Sequence, residues 1–166
     1  MKFFTALVVC GGTLAFAAAA SGLEGRWAAF VEPELGTRVD VPSYIFQVEE
    51  GPSPKGSGRV LSTEDGRAVL GIYSLSNSAR DTPASYIKKN YKAPEAAIDY
   101  KLVRRTFFAI SGVYRQDIYY SRCNFSRTAG GAIHCIDLKY PADEKRAWDP
   151  IVTRISLSLR PLEASY

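Results

Sequence analysis

The chain reads as an α+β protein: an antiparallel β-sheet built from hairpins, with two helical segments packed against it and one disulfide. Three observations predict this class. Runs with strand-like alternation are joined by short turns rich in Gly and Asp, two other segments carry apolar residues at helical spacing, and no strand–helix–strand alternation appears. About 145 residues remain after an N-terminal leader, enough for one domain that buries about two-thirds of its unfolded surface.

The leader is read as an export signal. Lys2 supplies a positive start, Phe3 to Phe16 form an apolar stretch broken by glycine and threonine, and Ala17 to Ala20 offer a small-residue cleavage site. The stretch falls short of the roughly 20 apolar residues that span a bilayer, so no transmembrane segment is expected after cleavage. Cys10 leaves with the signal, because Val9 before it is not the small residue of a lipidation site. The expected organisation is a cleaved signal peptide at 1–20, an N-terminal arm at 21–34, a single domain at 35–160 and a tail at 161–166. Trp27 and Phe30 are expected to dock the arm on the body.

Val39 and Val41 alternate with Arg38 and Asp40, so residues 35–41 read as a strand stopped by Pro42. Tyr44, Ile45 and Phe46 follow as a short apolar plug, and GPSPKGSG at 51–58 reads as a loop. RVLSTE and RAVLGIYSL flank Asp65-Gly66, which predicts a hairpin with a type I′ turn that sets Leu61 against Leu70. Asp81 or Thr82 caps a helix with Pro83 in its first turn and Tyr86, Ile87 and Tyr91 near one side. Residues 98–104 alternate as a strand, whereas 106–113 are apolar on both faces and predict a central strand.

The next hairpin joins 113–125 to 132–140 through SRTAGG. Centred on Ala129, it places Cys123 opposite Cys135, Ser121 opposite Asp137 and Phe125 opposite Ile133. Opposed strand residues have Cα atoms about 4.5–5.5 Å apart, which suits a disulfide. With Cys10 removed, these two cysteines form a single bridge, and an oxidising compartment follows: periplasmic or secreted. The last element runs from Ala142 to Leu159, with Trp148, Ile151, Val152, Ile155 and Leu159 on one stripe. Pro150 kinks this helix or restarts it with Asp149 as cap.

The strings VDVPSYIF, STEDGRAVLGIY, FFAISGVYRQDIYYSRC and LKYPADEKRAWDPIVTRISLSL resemble a group of small, uncharacterised, secreted alphaproteobacterial proteins. Their layout is similar to the PsbP-like sandwich, named for an extrinsic photosystem II subunit. The likeness spans roughly residues 35–160, and its motifs are hydrophobic and structural. It implies a PsbP-like fold and a role in binding or assembly, and it transfers no active site.

Chemistry-bearing motifs are few. His134 is the one histidine, and its strand neighbour Cys135 points to the opposite face, so a Cys–His nucleophile pair is not expected. A zinc site needs several clustered Cys or His ligands, so no metal and no cofactor is expected. Glu49-Glu50, Glu64-Asp65 and Asp143-Glu144 read as solvated acids beside turns or at a helix start. Gly51 and Gly56 have phosphate-loop spacing, but Ser57 stands where the lysine is needed. The formal charge of +4, or +3 without Lys2, is scattered, so no nucleic-acid partner is expected.

Ten tyrosines are the one compositional excess, several of them on or beside the disulfide hairpin. In the register above, Tyr120, Leu138 and Tyr140 share a core face with Ile118 and Ile136. Tyr119, Ser121, Asp137 and Lys139 lie on the other face with the cysteines and form the expected partner-binding surface. The functional expectation is an exported, non-enzymatic binding or assembly module of the bacterial periplasm or cell envelope, with a protein or envelope partner. The alternative is a small-ligand carrier or hydrolase whose carboxylates meet only in the folded chain.

Overall fold

Strand and helix signals resolve into two packed layers around one long antiparallel sheet. The computed structural model describes residues 26–91, 98–127 and 131–162; the expected signal peptide and cleavage site, Cys10 and Ala129 lie outside them. The first strands are β1 (Trp27–Glu32), β2 (Thr37–Pro42), β3 (Val48–Pro52), β4 (Ser57–Ser62) and β5 (Val69–Ser76). Helix α1 (Pro83–Asn90) precedes β6 (Tyr100–Val103), β7 (Phe107–Tyr114), β8 (Asp117–Phe125) and β9 (Ala132–Pro141). A 3₁₀ turn (Ala142–Glu144) leads into α2 (Lys145–Ser158), and β10 (Arg160–Pro161) closes the order.

Seven strands pair in the order β3-β4-β5-β9-β8-β7-β6, and β1-β2-β10 form a second, smaller sheet. All pairings are antiparallel. The period-two pleat sorts side chains between two faces. The inner face presents Leu70, Ile72, Ile118, Ile136, Leu138 and Tyr140 to Val39 and Val41 of β2 and to Trp148, Val152 and Ile155 of α2. The outer face gathers Tyr73, Phe108, Ile110, Cys123, Phe125, Ile133 and Cys135 beneath Tyr86 and Ile87 of α1. The fold is therefore α+β with two helices on antiparallel sheets, as the sequence predicts.

Cys123 and Cys135 are bonded across β8 and β9 with Cα atoms 4.2 Å apart, in the expected register with Ser121↔Asp137 and Phe125↔Ile133. Both cysteines are fully buried under α1. Thr82 caps α1: its hydroxyl accepts from Ser85 N at 3.2 Å, and Ser85 Oγ accepts from Thr82 N at 3.0 Å. Pro83 then occupies the first helical position, where its missing N–H is no loss.

Several elements differ from expectation. Part of the 21–34 arm is a strand, β1, paired with β2 from Trp27↔Pro42 to Glu32↔Thr37. The Glu32 carboxylate caps the intervening turn by accepting from Glu34 N at 2.7 Å and Leu35 N at 3.1 Å. Half of the 51–58 loop is strand, and Pro52 is tolerated there because β3 is an edge. Leu61 does face Leu70, but the Asp65-Gly66 turn is not type I′. Only Gly66 has positive φ (67°), and Gly66 N donates to Thr63 O at 2.9 Å, a type I turn followed by a left-handed glycine.

Strand β7 is second from the edge and β9 is the central one; β7 is apolar on both faces because α1 covers its outer side. Pro150 lies inside α2 and neither restarts it nor takes Asp149 as cap; the Asp149 carboxylate instead accepts from Lys145 Nζ at 2.8 Å. Pro150 and Arg146, whose carbonyl a proline there leaves unbonded, are both exposed, so water can satisfy the ladder. The expected tail begins as structure: Pro161 pairs with Thr37, and Leu162 N donates to Gly36 O at 2.7 Å.

A buried polar seam joins the two sheets. Glu32, 4% exposed, accepts from Ser74 Oγ at 2.5 Å and Ser57 Oγ at 2.9 Å. His134, 2% exposed, shares a 2.7 Å hydrogen bond between Nδ1 and Thr37 Oγ1 of β2. Burial pushes the His134 imidazole below its ordinary 6.5, against a smaller opposing pull from Glu32. For Glu32 burial acts upward, but hydrogen bonds from Ser74, Leu35, Glu34 and Ser57 hold the carboxyl below 4.5.

Two measurements check this account. Closing the β8–β9 loop covalently should contribute on the order of 2–3 kcal/mol, so urea unfolding with and without reductant should differ by about that amount. A depressed histidine contributes stability that is complete above its unfolded value of 6.5 and is lost as pH falls toward the lower folded value. Urea midpoints should therefore fall as pH drops from about 7 to 5, and His134→Asn should flatten that interval. Glu32 acts in the same sense at lower pH, its contribution fading as pH falls below 4.5. A wild-type curve flat from pH 7 to 5 would show that His134 is not held neutral.

Candidate functional site

Among the described residues, α1, eight residues long, covers part of the outer face, and a solvent-open cavity of about 550 Å³ lies beside it. Its floor comes from β4, β5, β8 and β9: Val60, Val69, Gly71, Tyr73, Tyr119, Ser121, Asp137 and Lys139. Register explains the gathering. Val60 faces Gly71, Gly71 faces Asp137, Asp137 faces Ser121, and Lys139 lies between Val69 and Tyr119. These positions share one parity of the pleat, so their side chains rise on one side.

Two walls complete the cavity. Ser53, Pro54 and Lys55 of the β3–β4 turn stand on one side, and Tyr91, just past α1, stands on the other. The turn is held low over β5 because position 58 is glycine with φ of 151°. A Cβ there would lie 2.0 Å from the Ile72 carbonyl oxygen. Gly71 instead leaves open floor: a Cβ would meet the Asp137 Cβ at an ordinary 3.8 Å.

Asp137 is the polar centre and the one carboxylate among the described lining residues. Its Oδ1 accepts from Ser121 Oγ at 2.5 Å, and its Oδ2 lies 2.7 Å from Lys55 Nζ. The Tyr73 and Tyr91 phenols line the same cavity as Asp137 and Ser121. Burial pushes the Tyr73 phenol far above its ordinary 10, and the Asp137 charge adds to the shift. Tyr91 is raised by the same two causes in the same order. Both are neutral hydroxyls at physiological pH. Lys139 Nζ lies 4.0 Å from Asp117 Oδ2, which balances its charge away from Asp137.

The four residues read from the sequence, Tyr119, Ser121, Asp137 and Lys139, thus line one cavity. Lys55, Gly71, Tyr73 and Tyr91 were missed. Tyr73 pairs with Cys135, so its parity places it on this face once β5 is set beside β9, a pairing that no local motif announces. Cys135 is in the disulfide and His134 points into the inner seam, so the two side chains do not meet. The adjacent acid pairs lie elsewhere: Glu49 pairs with Arg59, Glu50 accepts from Ser62, Asp65 caps its turn, and Asp143 and Glu144 face Arg67. Among the described residues, no group of three or more His, Cys, Asp or Glu could hold a metal ion. No helix there is long and apolar enough to cross a membrane.

No protein-family model and no curated protein sequence matches the chain. Among solved structures, it is similar to the solution structure of cyanobacterial PsbP (CyanoP) from Synechocystis sp. PCC 6803. The superposition has a TM-score of 0.62 at 12% identity and covers 93% of this chain and 98% of the other. At that identity the likeness shows a PsbP-like fold and nothing of its site.

Proposed function

We propose that the protein is an exported, non-enzymatic binding or assembly module of the periplasm or cell envelope, which engages a protein partner through the outer-face cavity. One observation carries the reading. The part of the outer face beside α1 that this cavity occupies presents tyrosine, serine and a matched pair of opposite charges around an apolar floor. Such a mix of aromatic anchor and polar tip is what protein recognition sites use. Export is supported by the disulfide, which persists in oxidising compartments. The resemblance read from the sequence points toward binding or assembly as well.

A small-ligand carrier is the second reading, favoured by the volume of about 550 Å³, which lies within the usual range for small-molecule pockets. Glycoside hydrolysis usually needs two facing carboxylic groups, and Asp137 is the one carboxylate among the described residues that line this cavity.

The test is affinity purification from an envelope extract with the wild type and a Tyr119→Ala, Lys139→Ala double variant. Neither side chain is fully buried, so the variant should keep its circular dichroism and lose no more than about 1 kcal/mol of stability. It should no longer retain the partner held by the wild type. An unchanged set of co-purifying proteins would remove the cavity from the reading, and a co-purifying small molecule with no protein would favour the carrier.

A further inference from the structure

The cavity already contains a cation from its own chain. Lys55 extends from the β3–β4 turn so that its Nζ lies 2.7 Å from Asp137 Oδ2 and 5.7 Å from the Tyr73 ring centroid. We propose that the cavity recognises a lysine side chain of the protein partner, and that Lys55 is its resting occupant, exchanged for the partner's lysine on binding. The inference rests on the binding-module reading and names the group recognised.

The geometry selects an ammonium on an apolar stem. Ser121 occupies Asp137 Oδ1, and Lys55 takes Oδ2. A guanidinium fork uses both oxygens for its two parallel bonds, one of which already accepts from Ser121, whereas an ammonium needs one, so the site favours lysine over arginine. The Tyr73 ring adds a π face, and the Val60 and Val69 side chains border the path of a four-carbon stem. Gly71, opposite Asp137, keeps that path clear.

Lys55 is suited to leave. Its side chain is 56% exposed and sits on a four-residue turn, and an ion pair so exposed contributes little to stability. Its departure leaves Asp137, 23% exposed and held by Ser121, with an acceptor oxygen that an incoming ammonium can fill. Lys139 is directed to Asp117 and does not compete for that oxygen.

The experiment is an amide NMR titration of the oxidised protein with Nα-acetyl-lysine methylamide, its arginine counterpart and butyrate. The lysine probe should produce saturable shifts at Gly71, Tyr73 and Asp137. Removing the internal competitor with Lys55→Met should lower the half-saturation concentration by about threefold to fivefold, the range a weak, exposed ion pair allows, since apparent affinity scales with the open fraction. The response should vanish in Lys55→Met, Asp137→Asn and also in Lys55→Met, Gly71→Val, which fills the floor but keeps the carboxylate. The arginine probe should bind more weakly than lysine.

No saturable response in Lys55→Met, an equal response in wild type and Lys55→Met, or persistence in both double variants would overturn the proposal. Butyrate bound by the wild type and released in Lys55→Met would make the site an anion site instead. If Lys55→Met ignores the lysine probe yet retains the partner, the module reading stands and the lysine assignment falls. If the Tyr119→Ala, Lys139→Ala variant retains every partner, the reading beneath it falls as well.

Discussion

The pairing of β8 with β9 governs the molecule, because it decides which side chains go inward and which go outward. Cys123 opposite Cys135 locks that register covalently at the middle of the sheet, where β9 is the central strand. A slip of β9 by one residue would send Ile136 and Leu138 to the outer face and Asp137 into the apolar core. The core between the sheets, the roof of α1 and the placement of Asp137 beside Ser121 all follow from that one alignment. Residues 133–136 are buried in succession, the mark of a strand covered on both sides.

The two coverings are unequal, and the inequality produces the cavity. Helix α2 and the β1-β2-β10 sheet together cover the inner face. Among the described residues the outer face receives one helix, α1, eight residues and so about 12 Å long, against seven strands that span about 29 Å at 4.8 Å spacing. The Phe108, Phe125 and disulfide end of this face is roofed; the Asp137 and Lys139 end is not. Glycine at positions 58 and 71 then works in opposite ways, one drawing the β3–β4 turn down as a wall and the other clearing the floor.

What the sequence made legible was local. The disulfide hairpin, the Thr82-Pro83 helix start, the Leu61↔Leu70 register and the α2 stripe rest on contacts between near neighbours, where spacing alone is informative. The candidate face was legible for the same reason, since one hairpin carries Tyr119, Ser121, Asp137 and Lys139. The rest depended on distant pairing. Strand β1 was hidden because its turn is held by the Glu32 carboxylate and not by an Asn-Gly or Asp-Gly pair. The β5–β9 pairing, which brings Tyr73 beside Asp137, joins residues some sixty positions apart and leaves no local trace. Lys55 was hidden inside a Gly-Pro-Ser loop whose composition announces a turn but not where its side chains reach.

A shared fold carries no function by itself, and at 12% identity to cyanobacterial PsbP the chemistry has to be argued from the cavity. Proton transfer at neutral pH works best with a group whose pKa lies near 7. Burial moves Tyr73 and Tyr91 in the other direction, far above neutrality, so each keeps its proton and serves as a fixed donor and apolar wall. Asp137 is tied by Ser121 and Lys55, contacts that orient the carboxylate. The one histidine is turned to the inner seam, bonded to Thr37 and away from the opening. The groups that do border the opening are neutral phenols, a serine, an apolar floor and a pair of opposite charges, the elements on which the proposed recognition of a charged partner rests.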